Sequence, residues 1–413
     1  MLLSGLWSWD ETVRNRPTAD EFSEVEVKVV SDESRPERFT DRISAESFDE
    51  WYAKREFTRN IREGKPYFNG PSSVPEPERH TPSSLLQCHR KIAYRQANAP
   101  EEREPPEGIF WSGRLFEEEV AVPYLRDVVA GEGAYVRNSM WIDDTVETPG
   151  GEQLRFKGST DPVVVNRESE PLLVTEVKTK SSLEDLDEPN RHHRAQVHAY
   201  MHGLSAKYDR TVDEAVIIYG GRTSMDVRAF EEPFSTAFFE RVLDWAATHT
   251  DYRESGALPP ADPEYGWECR FCSFKHRCGQ SDWPFADIGP VGFLPLVADY
   301  PRERVVEYLD ARAEDGAKLT PTLAHEYPEV AEEYAVHDWC CSCCESERAW
   351  NEVEWDGDMA NPPICPACAE RSMLSSLDGP EPDTQKSLLG STLLVSQSTS
   401  RRACSSASLP GLR

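Results

Sequence analysis

Apolar residues in the middle of the chain follow two different spacings, which together predict a mixture of helices and strands. Helical spacing, with apolar residues three and four positions apart, marks four segments: 85–96, a stretch beginning near 111, 191–208 and 234–252. Strand-like apolar runs mark five segments: 135–142, 154–166, 171–180, 214–221 and 224–230. Polar residues 167–170 predict a hairpin between the second and third strands, and the last two strands predict another. This order predicts an α/β fold around one mixed sheet flanked by helices.

Changes in composition predict how the chain is divided. The predicted parts are an N-terminal extension at 1–80 with one helix at 44–64, a compact α/β domain at 81–285, a helical segment at 290–335, a cysteine-rich segment at 337–372 and a disordered tail at 373–413. The tail is rich in serine and has no Asp or Glu from Lys386 onward. Two short helices in the helical segment are compatible with part of a helix-turn-helix or with a plain spacer.

The 413 residues carry a formal net charge of −29, and 34 of the 45 basic residues are arginine. Such an acidic chain with so little lysine is typical of a protein from a salt-loving organism, in which salt screens the repulsion. No apolar run approaches the ~18 residues that a membrane span needs, and the N-terminus lacks the pattern of a signal peptide. We therefore expect a soluble, cytoplasmic protein without a membrane partner, and the charge does not exclude a nucleic-acid partner.

Two carboxylates and a lysine are predicted to meet on the first hairpin. Glu176 and Lys178 are two residues apart on one strand and so point to the same face, while Asp161 opens the partner strand. Paired carboxylates bind hard divalent cations such as Mg²⁺ or Mn²⁺, and a nearby lysine can orient a water molecule. The plainer alternative is a cross-strand salt bridge on an exposed hairpin.

The eleven cysteines are clustered, which indicates metal binding rather than a disulfide framework. Two CxxC pairs about 20 residues apart predict a zinc ribbon; the second pair is Cys365 and Cys368. The first pair is either Cys341 and Cys344, which we prefer, or Cys340 and Cys343. A separate set has the spacing C-x2-C-x5-C and could take its fourth thiolate from far upstream: Cys269, Cys272, Cys278 and Cys88. Four thiolates suit an iron–sulfur cluster or zinc.

The order of these motifs resembles the iron–sulfur, RecB-like branch of the PD-(D/E)XK nuclease superfamily, in which CRISPR-associated exonucleases and the AddB nuclease domain are found. The resemblance rests on Asp161, Glu176 and Lys178, together with Gln196 and Tyr200 in a QxxxY motif. Upstream, Gly113 to Glu117 resembles the segment that in most members ends in histidine. This chain has Glu117 there, and the adjacent Glu118 and Glu119 leave a shift of one residue open.

The resemblance covers about residues 81–285 and implies a restriction-endonuclease-like core. It implies that Mg²⁺ or Mn²⁺ is held by Glu117, Asp161, Glu176 and the carbonyl of Val177, that Lys178 positions the attacking water, and that Gln196 and Tyr200 support substrate and lysine. It also implies a 4Fe-4S cluster on Cys88, Cys269, Cys272 and Cys278. The alternatives are zinc in the same pocket, or a structural Cys88 with a three-ligand site.

The expected activity is hydrolysis of DNA, single-stranded or from a free end, in repair, recombination or CRISPR and mobile-element processing, with protein partners from those systems. Basic clusters at 89–95, 191–194 and 270–277 include interleaved aromatic residues and favour contact with a nucleic-acid strand. The rival hypothesis is a non-catalytic DNA-binding or adaptor protein that keeps a nuclease-like scaffold and uses its zinc ribbon.

Overall fold

The computed structural model describes residues 44–63, 79–103, 107–224, 226–283, 285–296, 300–359 and 361–389. The chain divides into two compact units, residues 1–69 and 70–413. Within the described residues, no helix is both long and apolar enough to cross a bilayer.

In the first unit, the described part is helix α1 (Ala45–Glu63), close to the predicted 44–64. Its N-terminus is capped because Ser44 and Ser47 exchange hydrogen bonds between each hydroxyl and the other's backbone N–H, at 3.0 and 3.1 Å. Phe48 stacks on Tyr52, one helical turn away, with ring centroids 5.9 Å apart. The helix therefore carries an aromatic face, on which Phe48 remains 56% exposed.

The centre of the second unit is a five-stranded sheet in the order β2-β5-β6-β7-β8. Its strands are β2 (Ala134–Arg137), β5 (Val163–Asn166), β6 (Pro171–Lys180), β7 (Glu214–Gly221) and β8 (Val227–Pro233). The β6–β7 pair is parallel and the other pairs are antiparallel. Helix α5 (Arg191–Tyr208) connects β6 to β7 and packs through its apolar face on a buried core that includes Val174, Ile217 and Tyr219.

A second sheet of three strands lies beside it, in the order β1-β4-β3. These strands are β1 (Arg79–His80), β3 (Trp141–Glu147) and β4 (Gln153–Ser159). Helix α6 (Thr236–Ser255) covers this region, and its Phe238, Phe239 and Val242 share a buried core with Phe156 of β4. The remaining helices of this part are α2 (His89–Gln96), α3 (Glu107–Phe116) and a short α4 (Val122–Tyr124), the last lying between two π-helical turns at Glu117–Ala121 and Leu125–Val129.

The mixed α/β class and both predicted hairpins are confirmed, but the single predicted sheet is wrong, because two predicted strands are each broken. The run 135–142 divides into β2 and β3, and the run 154–166 divides into β4 and β5, with the halves in different sheets. The second break falls at residues 160–162, where Pro162 has no N–H to continue a ladder. Asp161 lies in this break, between the two sheets.

The predicted helix through 85–96 is also interrupted. A 3₁₀ turn at Pro82–Ser84 is followed by Leu86 with a positive φ of 57°, and α2 begins only at His89. Leu85 and Leu86 are both buried in the core under α6, so apolar burial overrides helix continuation here. As a result Cys88 occupies the N-cap position of α2.

The C-terminal part begins with three short helices, which are followed by a small three-stranded sheet. The helices are α7 (Arg302–Ala311), α8 (Pro321–Glu326) and α9 (Pro328–Glu333), so the second predicted helix of this segment is divided in two, where Pro328 follows Tyr327. The sheet order is β10-β9-β11, built from β9 (Trp339–Cys341), β10 (Glu347–Arg348) and β11 (Leu377–Asp378), with α10 (Pro366–Ala369) beside it.

The predicted disordered tail starts too early. Residues 377–388 form β11 and helix α11 (Pro382–Leu388), and the buried Gln385 side chain exchanges hydrogen bonds with both the N–H and the carbonyl of Phe293 at 3.0 and 2.7 Å. This polar contact is not visible as a hydrophobic pattern. The prediction for 390–413 lies outside the described residues.

Buried histidines predict that the fold loses stability in acid. Burial lowers the pKa of His198 to about 4, and its ring is satisfied only when neutral, because Nε2 accepts the N–H of Ser235 at 3.1 Å. Burial also lowers the pKa of His80 to about 4 and of His249 to about 3. Below pH ~6.5 these histidines therefore bind protons in the unfolded chain but not in the native state. Each unit of pKa difference can lower the free energy of unfolding by about 1.4 kcal/mol.

We expect the free energy of unfolding in high salt to fall as the pH decreases from about 6.5 towards 4. The His198→Gln variant should start lower at neutral pH and fall less steeply, since it no longer titrates at this position. Parallel pH dependences for wild type and variant in denaturant titrations would contradict this assignment.

Candidate active site and metal centres

Strand β6 and the break before β5 bring the predicted carboxylates and lysine together. The ammonium of Lys178 is paired with Glu176 and lies 3.8 Å from Oδ2 of Asp161. The same Oδ2 accepts the backbone N–H of Val177 at 2.8 Å, which holds Asp161 against the strand. Glu176 is fully buried, while Lys178 and Asp161 remain partly open to solvent. The site is therefore a shallow opening with one deep carboxylate.

The electrostatics of this group favour an added cation. Burial, with further repulsion from Asp161 and Glu117, raises the pKa of Glu176 to about 8 despite the attraction of Lys178. Burial opposes the charged form of Lys178, but the surrounding carboxylates outweigh it and raise the pKa of the ammonium. Oε2 of Glu176 is buried without a hydrogen-bond partner in the described structure. An oxygen in that position suits a hard divalent cation, whose charge would favour the ionised form of Glu176.

Helix α3 and the π-helical turn after it bring the third carboxylate to the group. Glu117 is close enough to change the pKa of both Glu176 and Lys178. The helix approaches the sheet closely at two points, where a Cβ on Gly113 would lie 3.7 Å from Thr179 and the ring of Phe116 covers Gly220. A π-helical turn is rare and frequently marks a functional site.

The contact between Phe116 and Gly220 yields a prediction about activity. A Cβ on Gly220 would meet the Phe116 ring at 2.5 Å, so Gly220→Ala should push Phe116 away and displace Glu117 next to it. We expect a loss of about 1–3 kcal/mol in stability together with reduced activity. Gly108→Ala, in the helix that carries Phe116, is the control, because a Cβ there meets nothing within 4 Å and should leave activity unchanged. Thermal melts and cleavage rates of the two variants check this; equal rates would contradict it.

The QxxxY residues lie side by side on α5 and face the same group. Nε2 of Gln196 donates to the hydroxyl of Tyr200 at 3.2 Å, and that hydroxyl donates to the carbonyl of Ser159 at 2.7 Å. Ser159 ends β4, two residues before Asp161. Tyr200 therefore fixes the chain just ahead of the carboxylate, and both side chains are buried.

Two arginines of the predicted basic clusters serve the fold rather than an open nucleic-acid surface. Arg90 is buried, donates to the carbonyl of Pro259 at 2.7 Å and pairs with Asp287. Arg277 is fully buried between Glu102 and the carbonyls of residues 289 and 292. In sequence these arginines look like surface charge, and nothing local reveals their distant partners. Other members of the clusters stay accessible: Arg95 and Arg270 are exposed, and the Arg191 side chain remains 44% exposed while it pairs with Glu264.

The first set of four cysteines surrounds one cavity. Cys88 enters it from the start of α2, and three cysteines enter from the loop after α6: Cys269, Cys272 and Cys278. Tyr94 and Phe274 form its apolar floor. Burial raises the pKa of Cys278 to about 11, and Cys88 contributes to raising the pKa of each of the other three thiols. Uncompensated thiolates are therefore costly in this cavity.

The spacing of these sulfurs does not match a single zinc ion. Tetrahedral zinc with Zn–S bonds of ~2.3 Å needs sulfurs about 3.8 Å apart. Within the described residues, other cysteines form a compact group whose ligand atoms all lie within 4.8 Å of one another. The four cysteines of this cavity do not form such a group. The four sulfurs are therefore not all as close together as the ligands of one tetrahedral ion.

The second set of four cysteines has the compact geometry of a single-ion site. Its ligand atoms all lie within 4.8 Å of one another, and its members are Cys341, Cys344, Cys365 and Cys368. Sγ of Cys341 is 3.7 Å from that of Cys368, and Sγ of Cys344 is 3.6 Å from that of Cys365. The structure thus assembles the preferred pair rather than Cys340 and Cys343.

The segment before Cys269 also contacts the helix of the candidate active site. The N–H of Arg191 donates to the hydroxyl of Tyr265 at 3.0 Å, and Nε2 of His192 lies 3.6 Å from Glu268. Both contacts are at the first turn of α5, which carries Gln196 one turn further on. The segment that leads into the cysteine loop is therefore in direct contact with the QxxxY helix.

Sequence reasoning missed His193, which lies beside this group. Its Nδ1 is 2.7 Å from the hydroxyl of Tyr219, and after burial Lys178 is the group that most strongly lowers its pKa. The residue was hidden in the basic run 191–194. The signal in the sequence that could have identified it is its position three residues before Gln196 and seven before Tyr200, which places it on the same helix face.

Comparison with known proteins identifies the family. The model of the PD-(D/E)XK nuclease superfamily matches residues 22–279, which is more than half of the chain. The chain belongs to this superfamily.

Individual relatives are distant. The CRISPR-associated exonuclease Cas4 of Saccharolobus solfataricus is 24% identical over 129 residues, which are 31% of this chain and 54% of that protein. The chain thus spans about half the length of this curated relative. Among solved structures, the crystal structure of SSO0001 matches 55% of this chain and 94% of its own at a TM-score of 0.34 and 18% identity. An alkaline exonuclease from Laribacter hongkongensis matches 43% of this chain and 89% of its own at a TM-score of 0.29 and 12% identity.

Proposed function

We propose that this protein is a Mg²⁺- or Mn²⁺-dependent deoxyribonuclease that degrades DNA from an end, with single-stranded DNA as its substrate. The observation that carries the proposal is the buried Glu176, whose Oε2 has no hydrogen-bond partner in the described structure, beside Asp161 and Lys178. The salt bridge with Lys178 involves the other oxygen and leaves Oε2 unsatisfied, whereas a metal ion would bind it. The CRISPR-associated exonuclease to which the chain is similar supports the same direction.

The proposed metal ligands are the carboxylates of Glu117, Asp161 and Glu176 and the carbonyl of Val177. A divalent ion bound there would polarise the scissile phosphate and acidify a water molecule. The ammonium of Lys178, between two of the carboxylates, would hold the attacking water and offset charge that develops on the phosphate. Because Val177 donates its N–H to Asp161, the strand that provides the carbonyl also orients the carboxylate.

Gln196 and Tyr200 have a supporting role in the proposal. Their hydrogen-bonded pair ends on the carbonyl of Ser159, so it fixes the position of the chain leading into Asp161. Loss of this pair would let the carboxylate move relative to Lys178, and small displacements of that kind reduce rates strongly.

We further propose a 4Fe-4S cluster on Cys88, Cys269, Cys272 and Cys278, and zinc on Cys341, Cys344, Cys365 and Cys368. The first four sulfurs do not form a compact single-ion group, which supports the first assignment, and the 3.6–3.7 Å sulfur distances support the second. The cluster would join residues about 180 positions apart in sequence. The ribbon region 337–378 has nine acidic and two basic residues, which favours a structural or protein-binding role over contact with DNA phosphates.

The biological setting belongs to the same proposal: cytoplasmic processing of DNA in repair, recombination or CRISPR and mobile-element pathways, together with protein partners, in a salt-rich cell. The free thiols of the described cysteines fit a reducing compartment.

The test is degradation of end-labelled DNA by anaerobically purified protein in high salt. We expect linear single strands to be degraded with Mg²⁺ or Mn²⁺ and to persist in EDTA, while circular single strands of the same sequence persist throughout. Cleavage of the circle would replace the exonuclease with an endonuclease. Binding of DNA without any metal-dependent cleavage would favour the adaptor hypothesis.

A further inference from the structure

His193 extends the QxxxY face of α5 by one turn. It lies three residues before Gln196 and seven before Tyr200, so the three side chains share one face of the helix. That face lies over β6 and β7, where Lys178 is in register with Tyr219. His193 is therefore placed at the end of the active-site group nearest Lys178 and Lys180, and both ammonium groups act on its imidazole.

Hydrogen bonding around Tyr219 fixes which ring nitrogen of His193 carries the proton. The backbone N–H of Asn190 donates to the Tyr219 hydroxyl oxygen at 3.1 Å. The hydroxyl must therefore direct its own hydrogen elsewhere, and Nδ1 of His193, at 2.7 Å, is its acceptor within the described residues. An Nδ1 that accepts a hydrogen bond in a neutral ring leaves the proton on Nε2.

The surroundings hold this arrangement in place. Nζ of Lys180 donates to Oδ1 of Asn190 at 3.3 Å and lies 5.5 Å from the centroid of the Tyr219 ring. Besides its hydrogen-bond partner Tyr219, the groups that act on the imidazole are Lys178 and Lys180 on one strand and His192 on the helix, and all three favour its neutral form. A neutral N–H donor flanked by two cations matches an anionic oxygen acceptor.

We propose that His193 contacts the substrate directly, with its Nε2–H donating to a non-bridging oxygen of a backbone phosphate next to the scissile one, and that Tyr219 is the positioning residue that sets this tautomer. This inference rests on the proposed function, because it takes a nucleic-acid strand as the ligand of the same site. It adds a substrate contact that the carboxylate–lysine and QxxxY motifs do not include.

The test uses substitutions that keep one nitrogen position at a time. His193→Gln can place an amide N–H near the position of Nε2, whereas His193→Asn can imitate only Nδ1. We measure the Kd for a fluorescent single-stranded oligonucleotide with Ca²⁺, and KM and kcat for its cleavage with Mn²⁺. His202→Ala, on the same helix but paired with Asp144, is the control variant.

We expect His193→Ala and His193→Asn to weaken DNA binding and raise KM by about tenfold or more, which is the loss of one hydrogen bond to a charged group. His193→Gln should stay within about threefold of wild type, and Tyr219→Phe should fall between them, since it removes the hydroxyl but keeps the ring. His202→Ala should match wild type.

An unchanged Kd and KM in His193→Ala would overturn the proposal. Equal losses in the Ala, Asn and Gln variants, accompanied by lower melting temperatures, would also overturn it by giving His193 a structural role. The binding arm separates the two proposals: a wild type that binds DNA through His193 but does not cleave it would refute the nuclease activity and retain this contact.

Discussion

Replacing Lys178 with alanine is expected to reduce metal-dependent cleavage by about 100-fold or more while leaving the protein folded. Lys178 is the cation of the carboxylate group, paired with Glu176 and 3.8 Å from Asp161. Its removal deletes the group that would position water, but it also removes a positive charge that competes with a metal ion. Binding of Mn²⁺ to the variant should therefore be as tight as in wild type or tighter.

This combination separates a catalytic lysine from a structural one. Cleavage of labelled DNA gives the rate, calorimetric titration gives the Mn²⁺ affinity, and circular dichroism reports folding. Lys180→Ala, two residues along the same strand, is the matched control and should lose less than about tenfold. Weaker Mn²⁺ binding in Lys178→Ala, or an unchanged rate, would contradict the assigned role.

Cys88→Ser is expected to remove the proposed iron–sulfur cluster and to destabilise the whole α/β domain. Cys88 begins α2, while the other three thiols lie in the loop after α6, so a cluster would connect two distant segments. Binding of metal at such a centre contributes to the free energy of folding, so loss of the centre removes that contribution. We expect the brown colour and bound iron to disappear, the melting temperature to fall by on the order of 10 °C, and cleavage to be lost.

Cys341→Ser is the matched substitution in the other centre. It should lose zinc but keep the iron and the colour, because the two sets of cysteines are separate. Activity should decline far less than in Cys88→Ser. Metal analysis and visible absorbance of both variants check this. Loss of zinc from Cys88→Ser with no iron in the wild type would show that the first cavity binds zinc instead.

The site was more predictable from sequence than the fold that surrounds it. Alternation along β6 placed Glu176 and Lys178 on one face, and the hairpin brought Asp161 beside them, because strand periodicity is a local property. The break of a long apolar run at residues 160–162 was not predictable in the same way. It depends on contacts from another part of the chain, such as the Tyr200 hydroxyl on the carbonyl of Ser159.

Distant polar contacts account for most of what sequence reasoning missed. Arg277 looks like a surface charge, yet it is buried beside Glu102, which lies 175 residues earlier. Gln385 looks like part of a disordered tail, yet it satisfies the backbone of Phe293. Hydrophobic periodicity cannot report such pairs, because each partner is polar and the pairing is set by tertiary structure.

The central claim, that Asp161 and its neighbours form a metal-dependent nuclease site, is tested most directly with Asp161→Asn. The amide can keep the acceptor for the Val177 N–H while removing the charge that a metal needs. With Mn²⁺ and linear single-stranded DNA, we expect wild type to release labelled nucleotides and Asp161→Asn, with unchanged circular dichroism and iron content, to release essentially none. An Asp161→Asn variant as active as wild type, or wild-type cleavage that persists in EDTA, would contradict the account.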